Sequence, residues 1–371
     1  MSKSSDHSYQ PIAWFGPHLT GRELDRLRDV LDRQYVNDGP LAREFEQRVA
    51  AFVGTRHAVA VTSGTAAIAL SLMAAGIGPG DEVLVPDLTF IATANAARLA
   101  GATVKLVEVE PMRFSVDPDA VAAAIGPRTR ALVTVDVNGR GADYPRLEQI
   151  CGKTGLVLIC DAAEALGSRF AGRMLGSFGL AGCFSFSANK TITAGQGGMI
   201  VTDSDQLHDH LRELKDQGRR TGGTGGNDDH PVLGFNFKFT DLQAAVALAQ
   251  FDEIEQRLAA AVRRDRAYVE RLSNQPGLRL PPFSEPGEVR QWTDVLIEDR
   301  PSVAAALDTA KIGHRSFWHP LHRQQPYRAD DRGFPNSIDA SRRGLWLASR
   351  LDLTESDIDR ISSVIVAALR R

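Results

Sequence analysis

The chain alternates short apolar runs with amphipathic segments over most of its length. Apolar residues at helical spacing predict helices at 21–34, 42–54 and 65–76. Short β-rich runs predict strands at 58–62, 82–86, 103–109, 130–137, 156–162, 182–187 and 197–203. The runs near 130 and 156 are apolar throughout, as in strands that helices cover on both faces of a parallel sheet. The pattern therefore predicts an α/β fold with a large central sheet and right-handed crossovers.

The later part of the chain has a more mixed pattern. The Gly-rich run TGGTGG at 221–226 predicts a mobile loop, and one long helix is expected from Thr240 or Asp241 to about Arg264. The final run ESDIDRISSVIVAALRR predicts an amphipathic helix. Because 371 residues favour two domains, we expect a large domain at 1–250, with an N-terminal helical segment, and a smaller C-terminal domain at 251–371.

Composition narrows the class of protein. The chain is 43% hydrophobic and 24% charged, with a net charge of −3, as in an ordinary soluble domain with no nucleic-acid or membrane-surface partner. The N-terminus has no apolar signal segment, and no run approaches the roughly 20 apolar residues of a membrane helix. Cys151, Cys160 and Cys183 have no metal spacing, so we expect reduced core thiols, no metal and a cytoplasmic location.

Two segments suggest a site for an anion and a cation at strand ends. The small residues of Thr62–Ala66 lie between a strand and a helix, where backbone N–H groups and the helix dipole favour a phosphate. The alternative is a plain capped helix start. Asp161 ends an apolar strand, and a buried carboxylate needs a cationic or hydrogen-bonded partner. A protonated pyridine nitrogen would supply that partner, whereas the alternative role is a helix N-cap.

A lysine and a later loop complete the set of candidate segments. Lys190 follows the strand in SFSANK and precedes the Gly-rich turn TITAGQGG. A lysine held in a closed site can form an imine with an aldehyde, although most lysines are solvated on the surface. The run GFNFK at 234–238, followed by TDLQAA, predicts a loop that enters a helix.

Taken together, three long segments resemble one family. They are GPLAREFEQRVAAFVGTRHAVAVTSGTAA, CFSFSANKTITAGQGGMIVTD and FPNSIDASRRGLWLASRLDLTESDI. They are similar to the DegT/StrS family of nucleotide-sugar aminotransferases, in the aspartate aminotransferase superfamily. The resemblance implies fold type I, with a large mainly parallel sheet domain and a smaller C-terminal α+β domain. It also implies pyridoxal 5′-phosphate as the cofactor.

The resemblance assigns roles around the cofactor ring. Lys190 matches the lysine that forms a Schiff base with the cofactor and then moves a proton. Asp161 matches the partner of the pyridine nitrogen, and Phe90 in PDLTFIAT matches the aromatic residue that stacks on the ring. Glu164 stands where many relatives have Gln or His near the ring hydroxyl. An ordinary core phenylalanine is the alternative for Phe90.

The resemblance also assigns the phosphate contacts and an assembly. Gly64, Thr65 and Ser185 match positions of the phosphate cup. Asn236 matches a residue that reaches the cofactor phosphate of the neighbouring subunit. The resemblance therefore implies a homodimer whose active sites are shared between subunits.

The substrate is implied by a narrower resemblance. The runs DAAEALGS, ANKTIT and GLWL are most similar to perosamine-synthase-like members, which aminate C4 of nucleotide-linked 4-keto-6-deoxyhexoses with glutamate as the donor. Trp318, His319 and His322 lie in a segment that approaches the sugar in that group, and Asn37 lies in a substrate-side loop. A packed or exposed histidine and a plain turn are the alternatives.

Some positions depart from the perosamine-synthase pattern. Ala188 replaces a common glycine, and Ala194-Gly195-Gln196 replaces Thr-Gly-Glu. Two other functions stay open: amination of a cyclitol or another keto-sugar in antibiotic or glycan biosynthesis, and a catalytically silent regulator. Family members that dehydrate sugars have histidine at the lysine position, so Lys190 favours amino transfer.

Overall fold

The structure is a computed structural model that describes residues 10–220, 229–282 and 286–370. The predicted loop at 221–226 lies outside these residues. The helices are α1 (Arg22–Asp32), α2 (Pro40–Val53), α3 (Gly64–Ala74), α4 (Ala92–Leu99), α5 (Pro118–Ala124), α6 (Tyr144–Thr154), α7 (Asp205–Lys215), α8 (Asp241–Phe251), α9 (Ile254–Leu272), α10 (Arg300–Thr309), α11 (Pro335–Arg343) and α12 (Glu355–Leu369).

The strands form one large sheet and two smaller ones. They are β1 (His57–Val61), β2 (Glu82–Pro86), β3 (Thr103–Val107), β4 (Thr129–Val135), β5 (Val157–Asp161), β6 (Arg169–Phe170), β7 (Arg173–Met174), β8 (Ala181–Ser185), β9 (Gly198–Thr202), β10 (Leu278–Arg279), β11 (Asp294–Ile297), β12 (Arg315–Ser316) and β13 (Gly344–Trp346). The large sheet has the order β1-β9-β8-β5-β4-β2-β3. Its pairs are parallel from β8 to β3, and β9 pairs antiparallel with both β1 and β8.

The apolar central strands are buried on both faces, which explains their uninterrupted hydrophobic pattern. Successive side chains of a strand point to opposite faces. Leu132 and Leu158 lie in one buried cluster, whereas Val133 and Ile159 lie in another on the opposite side of the sheet. The prediction of a mainly parallel α/β sheet is therefore confirmed.

The C-terminal part of the chain forms a separate sheet with helices packed against it. Strands β10, β11, β13 and β12 pair antiparallel in that order. Helices α9, α10 and α12 supply apolar side chains to the buried cluster on this sheet. Ile12 belongs to the same cluster and pairs with Ile312, so the segment around Ile12 packs here. The division into domains at 1–250 and 251–371 stays a prediction.

The prediction of one long helix from Thr240 or Asp241 to about Arg264 is wrong, because the chain forms two helices there. Helix α8 ends at Phe251 and α9 begins at Ile254. Asp252, between them, accepts hydrogen bonds from Arg26 of α1 at 2.8 Å and from Arg48 of α2 at 2.6 Å. The sequence has no glycine or proline at the break between the two helices. The contacts of Asp252 with α1 and α2 are the structural feature found there.

The sequence also makes predictions about the cysteines and about membrane helices. All three cysteines are free and buried. Within the described part of the chain, no helix has the length and apolar character that crossing a membrane requires.

Candidate active site

A cavity of about 330 Å³ opens beyond the carboxyl ends of the parallel strands. Ligands of open α/β sheets bind at this edge. Eight of the residues predicted from the sequence line it: Gly64, Thr65, Phe90, Asp161, Glu164, Ser185, Lys190 and Trp318. Their positions along the chain span most of its length, and the folding of the strands brings them together.

The start of helix α3 forms an anion cradle in this cavity. The Ser63 hydroxyl accepts a hydrogen bond from Ala66 N–H at 3.1 Å and so caps the helix. Among the described residues, the N–H groups of Gly64 and Thr65 have no acceptor. Unpaired N–H groups at a helix N-terminus, together with the helix dipole, bind phosphate. Ser185 at the end of β8 places its hydroxyl beside this start, in the same cavity.

Two glycines make the close packing of the cradle possible. A Cβ on Gly64 would lie 3.0 Å from the Cβ of Ser185. A Cβ on Gly198 of β9 would lie only 2.3 Å from the carbonyl oxygen of Ser63. Larger residues at either position would push the helix start away from the strands.

Asp161 presents a buried carboxylate at the end of β5. Its Oδ2 accepts a hydrogen bond from the Thr93 hydroxyl at 2.7 Å, and its Oδ1 accepts one from Ala163 N–H at 3.1 Å. Burial raises the pKa of Asp161 above its ordinary value, although the Thr93 and Ala163 hydrogen bonds and the charge of Lys190 oppose that rise. A bound cation would stabilise the ionised carboxylate further.

Lys190 lies against an acidic and an aromatic side chain. Its Nζ is 3.5 Å from Glu164 Oε1 and 5.1 Å from the ring centroid of Trp292. Glu164 Oε2 accepts a hydrogen bond from Asn138 N–H at 3.0 Å. Burial raises the pKa of Glu164, and the charge of Lys190 is the largest influence that lowers it. The amine is thus held in the cavity, with only 12% of its side chain exposed.

Two predicted aromatic residues line the cavity, one exposed and one buried. Phe90 follows β2 and is 53% exposed, so it has a free face for a ligand and is not a core residue in this chain. Trp318 is buried and packs edge-on against Trp346, with ring centroids 4.8 Å apart.

Two of the predicted substrate residues do not line the cavity. His319 is exposed. His322 is fully buried, with Nδ1 2.7 Å from Asp87 Oδ2 and Nε2 3.0 Å from Asp331 Oδ1. Because both ring nitrogens have carboxylate partners, the packed-histidine alternative describes His322 best.

Of the remaining two predicted residues, one lines another cavity, of about 460 Å³, and the other is bridged to a residue of its wall. Asn37 lines it, and Asn236 forms a β-bridge with Asp216, which also lines it. The cationic residues of its wall are Arg43, Arg212, Lys215, Arg219, Arg220 and Lys238.

Several residues of the Lys190 cavity were not anticipated as site residues. Thr93 stands three positions after Phe90 in PDLTFIAT, so the start of α4 could have indicated it. Trp292 comes from the C-terminal part of the chain and carries no motif, whereas Arg315 begins the segment 315–327 that resembles the sugar-side segment but was given no role of its own. Only the folded chain brings them to the cavity.

These residues fit pyridoxal phosphate. The free N–H groups of α3 suit its phosphate, the Asp161 carboxylate suits its pyridinium nitrogen, and the Lys190 amine suits its aldehyde. Within the described residues, no group of three or more His, Cys, Asp or Glu side chains could hold a metal ion.

Comparisons with known proteins agree with this site. Residues 17–366 match the model of the DegT/DnrJ/EryC1/StrS aminotransferase family. The GDP-perosamine synthase of Caulobacter vibrioides is 36% identical over 95% of this chain and 97% of its own length. That of Vibrio cholerae is 33% identical over 95% and 98%. The solved structure of DesI with its TDP-sugar product is 32% identical, with a TM-score of 0.90 over 98% of this chain and 94% of that one.

The fold and site thus define an aminotransferase. The chain belongs to the DegT/DnrJ/EryC1/StrS aminotransferase family. It uses pyridoxal 5′-phosphate as its cofactor. The family, the fold type, the enzyme class and the cofactor predicted from the sequence are confirmed, whereas the roles of individual site residues stay predictions.

Proposed function

We propose that this aminotransferase moves an amino group from L-glutamate to C4 of a nucleotide-linked 4-keto-6-deoxyhexose. The observation that carries the proposal is the single cavity that holds the Lys190 amine, the Asp161 carboxylate and the start of α3. The named relatives support the acceptor, because two of them are GDP-perosamine synthases and a third carries a TDP-sugar product.

Different side chains of the cavity contact different parts of the cofactor. When bound, pyridoxal phosphate serves as an electron sink that also carries the amino group between the two substrates. The α3 N–H groups and Ser185 hold its phosphate, and Asp161 holds its ring nitrogen in the protonated form. Phe90 offers its exposed face to the ring.

Lys190 is the proton-transfer residue in this proposal. Its amine would take a proton from the substrate carbon and then give one back, as a general base and then a general acid. Glu164, 3.5 Å away, keeps the amine oriented into the cavity. The small-domain residues Trp292 and Trp318 cover the cavity and reduce the access of water to the reacting atoms.

We also propose a homodimer with shared active sites. Asn37 and Asn236 lie outside the Lys190 cavity. Asn37 lines the second cavity, and Asn236 is bridged to Asp216 in its wall, where six cationic residues outnumber Asp38 and Asp216. Such a surface suits the anionic phosphates of a neighbouring site. Mixing Lys190→Ala with Asn236→Ala protein should then restore part of the activity, because hybrid dimers contain one intact site. The cytoplasmic location stays a prediction.

The cofactor chemistry is tested by absorption spectra of the protein loaded with pyridoxal phosphate. Wild type should show the visible band of a lysine-bound cofactor, and L-glutamate should bleach it toward the near-ultraviolet. Lys190→Ala should show no borohydride-reducible linkage. A wild type without this band would contradict the proposal.

The acceptor is tested with GDP- and dTDP-linked 4-keto-6-deoxyhexoses. We expect amination at C4, with stoichiometric release of 2-oxoglutarate from glutamate. Amination of only a cyclitol, or release of no keto acid with any donor, would favour one of the two alternative functions.

A further inference from the structure

Arg315 on β12 is a cation of the cavity to which the sequence resemblance gives no role. Its guanidinium lies over two indole rings, with Cζ 5.3 Å from the Trp14 ring centroid and 5.7 Å from that of Trp346. Cation–π contacts of this kind orient a guanidinium without neutralising its charge. Arg315 is half-buried and lines the same cavity as Lys190.

The charge of Arg315 is unmatched inside the protein. Within the described ranges, its guanidinium makes no ion pair and no hydrogen bond. The other cation of the cavity, Lys190, has Glu164 as a partner at 3.5 Å. A half-buried guanidinium that lacks an acidic partner is available to bind an anion that a ligand supplies.

The cofactor phosphate does not meet this need. Its cradle at Gly64, Thr65 and Ser185 belongs to the large sheet. Arg315 belongs to the four-stranded C-terminal sheet, where it pairs with Trp346 of β13. An anion bound by Arg315 would therefore come from a substrate.

The size of the cavity favours the smaller of the two substrates. At about 330 Å³ the cavity is near the lower limit for drug-sized ligands, and the cofactor must share it. In a nucleotide-linked 4-keto-sugar, the diphosphate is bonded to C1, across the sugar ring from the reacting carbon. In an amino acid, a carboxylate is bonded directly to the reacting carbon. A guanidinium inside the cavity is thus better placed for a carboxylate.

We propose that Arg315 is the specificity residue for the amino donor, and that it binds a carboxylate of the donor through charge-assisted hydrogen bonds. The inference rests on the proposed function, because it assumes an amino-acid donor. The planar guanidinium suits bidentate binding of a carboxylate, which a lysine cannot reproduce. The tryptophan pair Trp14 and Trp346 holds the guanidinium in place between turnovers.

The test separates the two half-reactions in Arg315→Gln and Arg315→Lys. Binding of glutarate, an unreactive dicarboxylate, to the cofactor-loaded protein is measured by calorimetry. We expect its Kd to rise about 10- to 100-fold in Arg315→Gln, the loss typical of a hydrogen bond between charged groups. The KM for L-glutamate in bleaching the visible band should rise by a similar factor. Arg315→Lys should recover only part of the loss.

The second half-reaction starts from protein loaded directly with pyridoxamine phosphate and uses a nucleotide keto-sugar. Its rate should change by no more than about threefold in Arg315→Gln, since the donor is absent. The control is Arg332→Gln, which removes a charge whose side chain is 90% exposed and paired with Asp330. Loss confined to the sugar half-reaction, equal loss in both, or no loss would each overturn the assignment. Failure of the proposed function would be distinct: the wild type would aminate no keto-sugar, while the glutarate difference would persist.

Discussion

The cavity has two walls that are held in different ways. One wall consists of the ends of β5 and β8 and the start of α3, where the regular backbone of these elements places Asp161 and Ser185 and where Lys190 follows β8 closely in the chain. The other wall is the segment 315–323, which is anchored by side chains from distant parts of the chain. Asp87 accepts a hydrogen bond at Oδ1 from His322 N–H and another at its carbonyl oxygen from Leu321 N–H.

The difference separates general chemistry from substrate choice. The sheet wall offers a phosphate cradle, a carboxylate and an amine, which any pyridoxal enzyme of this fold requires. The segment wall offers Arg315 and Trp318, whose partners depend on the substrate. Variants of the two walls should therefore differ in kind. Variants of the sheet wall should weaken cofactor binding or slow the reaction of every substrate. Variants of the segment wall should slow the reaction of one substrate more than that of the other.

The largest effect is expected from Asp161→Asn in the sheet wall. The variant keeps an acceptor for Thr93 but removes the charge that maintains the pyridinium, so kcat of the glutamate half-reaction should fall by about 10²- to 10³-fold. Rapid-mixing absorption at the visible band measures that rate. Because burial raises the pKa of Asp161, the neutral variant should melt at the same or a higher temperature. A lower melting temperature with an equal loss of rate would indicate a structural role instead.

A smaller effect is expected from Gly198→Ala, which disturbs the phosphate cradle. The added Cβ would lie 2.3 Å from the Ser63 carbonyl oxygen, so the start of α3 must move. Overpacking of this kind costs about 1–3 kcal/mol, and we expect the Kd for pyridoxal phosphate to rise about tenfold. Fluorescence titration of the apoprotein measures it. The control Gly152→Ala has no atom within 4 Å of its new Cβ and should leave cofactor affinity unchanged.

The same contrast explains what the sequence could predict. Asp161 and Ser185 stand at strand ends, and Lys190 lies in the loop that follows the second of them. A short apolar run followed by polar or small residues indicates such ends directly. Helix α3 and its phosphate cradle follow from the small residues after β1. These features are local, so a few neighbouring residues determine them.

The segment wall was harder to predict, because its contacts are distant in sequence. His322 was assigned to the substrate, yet Asp87, 235 positions away, occupies its Nδ1. Arg315 has no partner that a motif could indicate. The break between α8 and α9 is similar, since Arg26 and Arg48 bind Asp252 from helices more than 200 residues earlier. Local propensity carries no information on such pairs.

A still smaller effect on amino transfer is expected from His322→Ala in the segment wall. The change leaves the buried Asp87 carboxylate without its imidazole partner, which costs about 1–3 kcal/mol. The melting temperature should fall, and the sugar half-reaction should slow several-fold, because the segment that carries Trp318 loosens. His322→Gln, which retains one donor, should recover part of both losses. The control Arg323→Ala removes only an exposed pair with Asp331, worth under about 1 kcal/mol. If His322→Ala raised the Kd for pyridoxal phosphate as much as Gly198→Ala does, the two walls would not act separately.

The smallest effect on amino transfer is expected from Asp136→Asn, although its effect on stability depends on pH. Asp136 follows β4 beside Asp161, outside the Lys190 cavity, and burial raises its pKa to about 7 from an ordinary 3.8 despite a hydrogen bond from the Tyr144 hydroxyl at 2.6 Å. Between these two pKa values the folded protein binds more protons at this group than the unfolded chain. Its contribution to stability is therefore lost as pH rises from about 4 to about 7, by up to about 1.4 kcal/mol per pH unit.

Asp136→Asn removes this titration and keeps an oxygen that can accept the Tyr144 hydrogen bond. The melting temperature of the variant relative to wild type should thus increase steadily as the pH is raised from 4.5 to 7.5. The rate of the glutamate half-reaction should stay within about twofold of wild type, because Asp136 contacts neither the cavity nor Lys190. Parallel melting curves at all pH values would show that Asp136 is ionised in the folded protein. A large loss of rate would mean that the carboxylates of Asp136 and Asp161 act as a coupled pair. Residues behind the lining of the sheet wall would then contribute to the reaction.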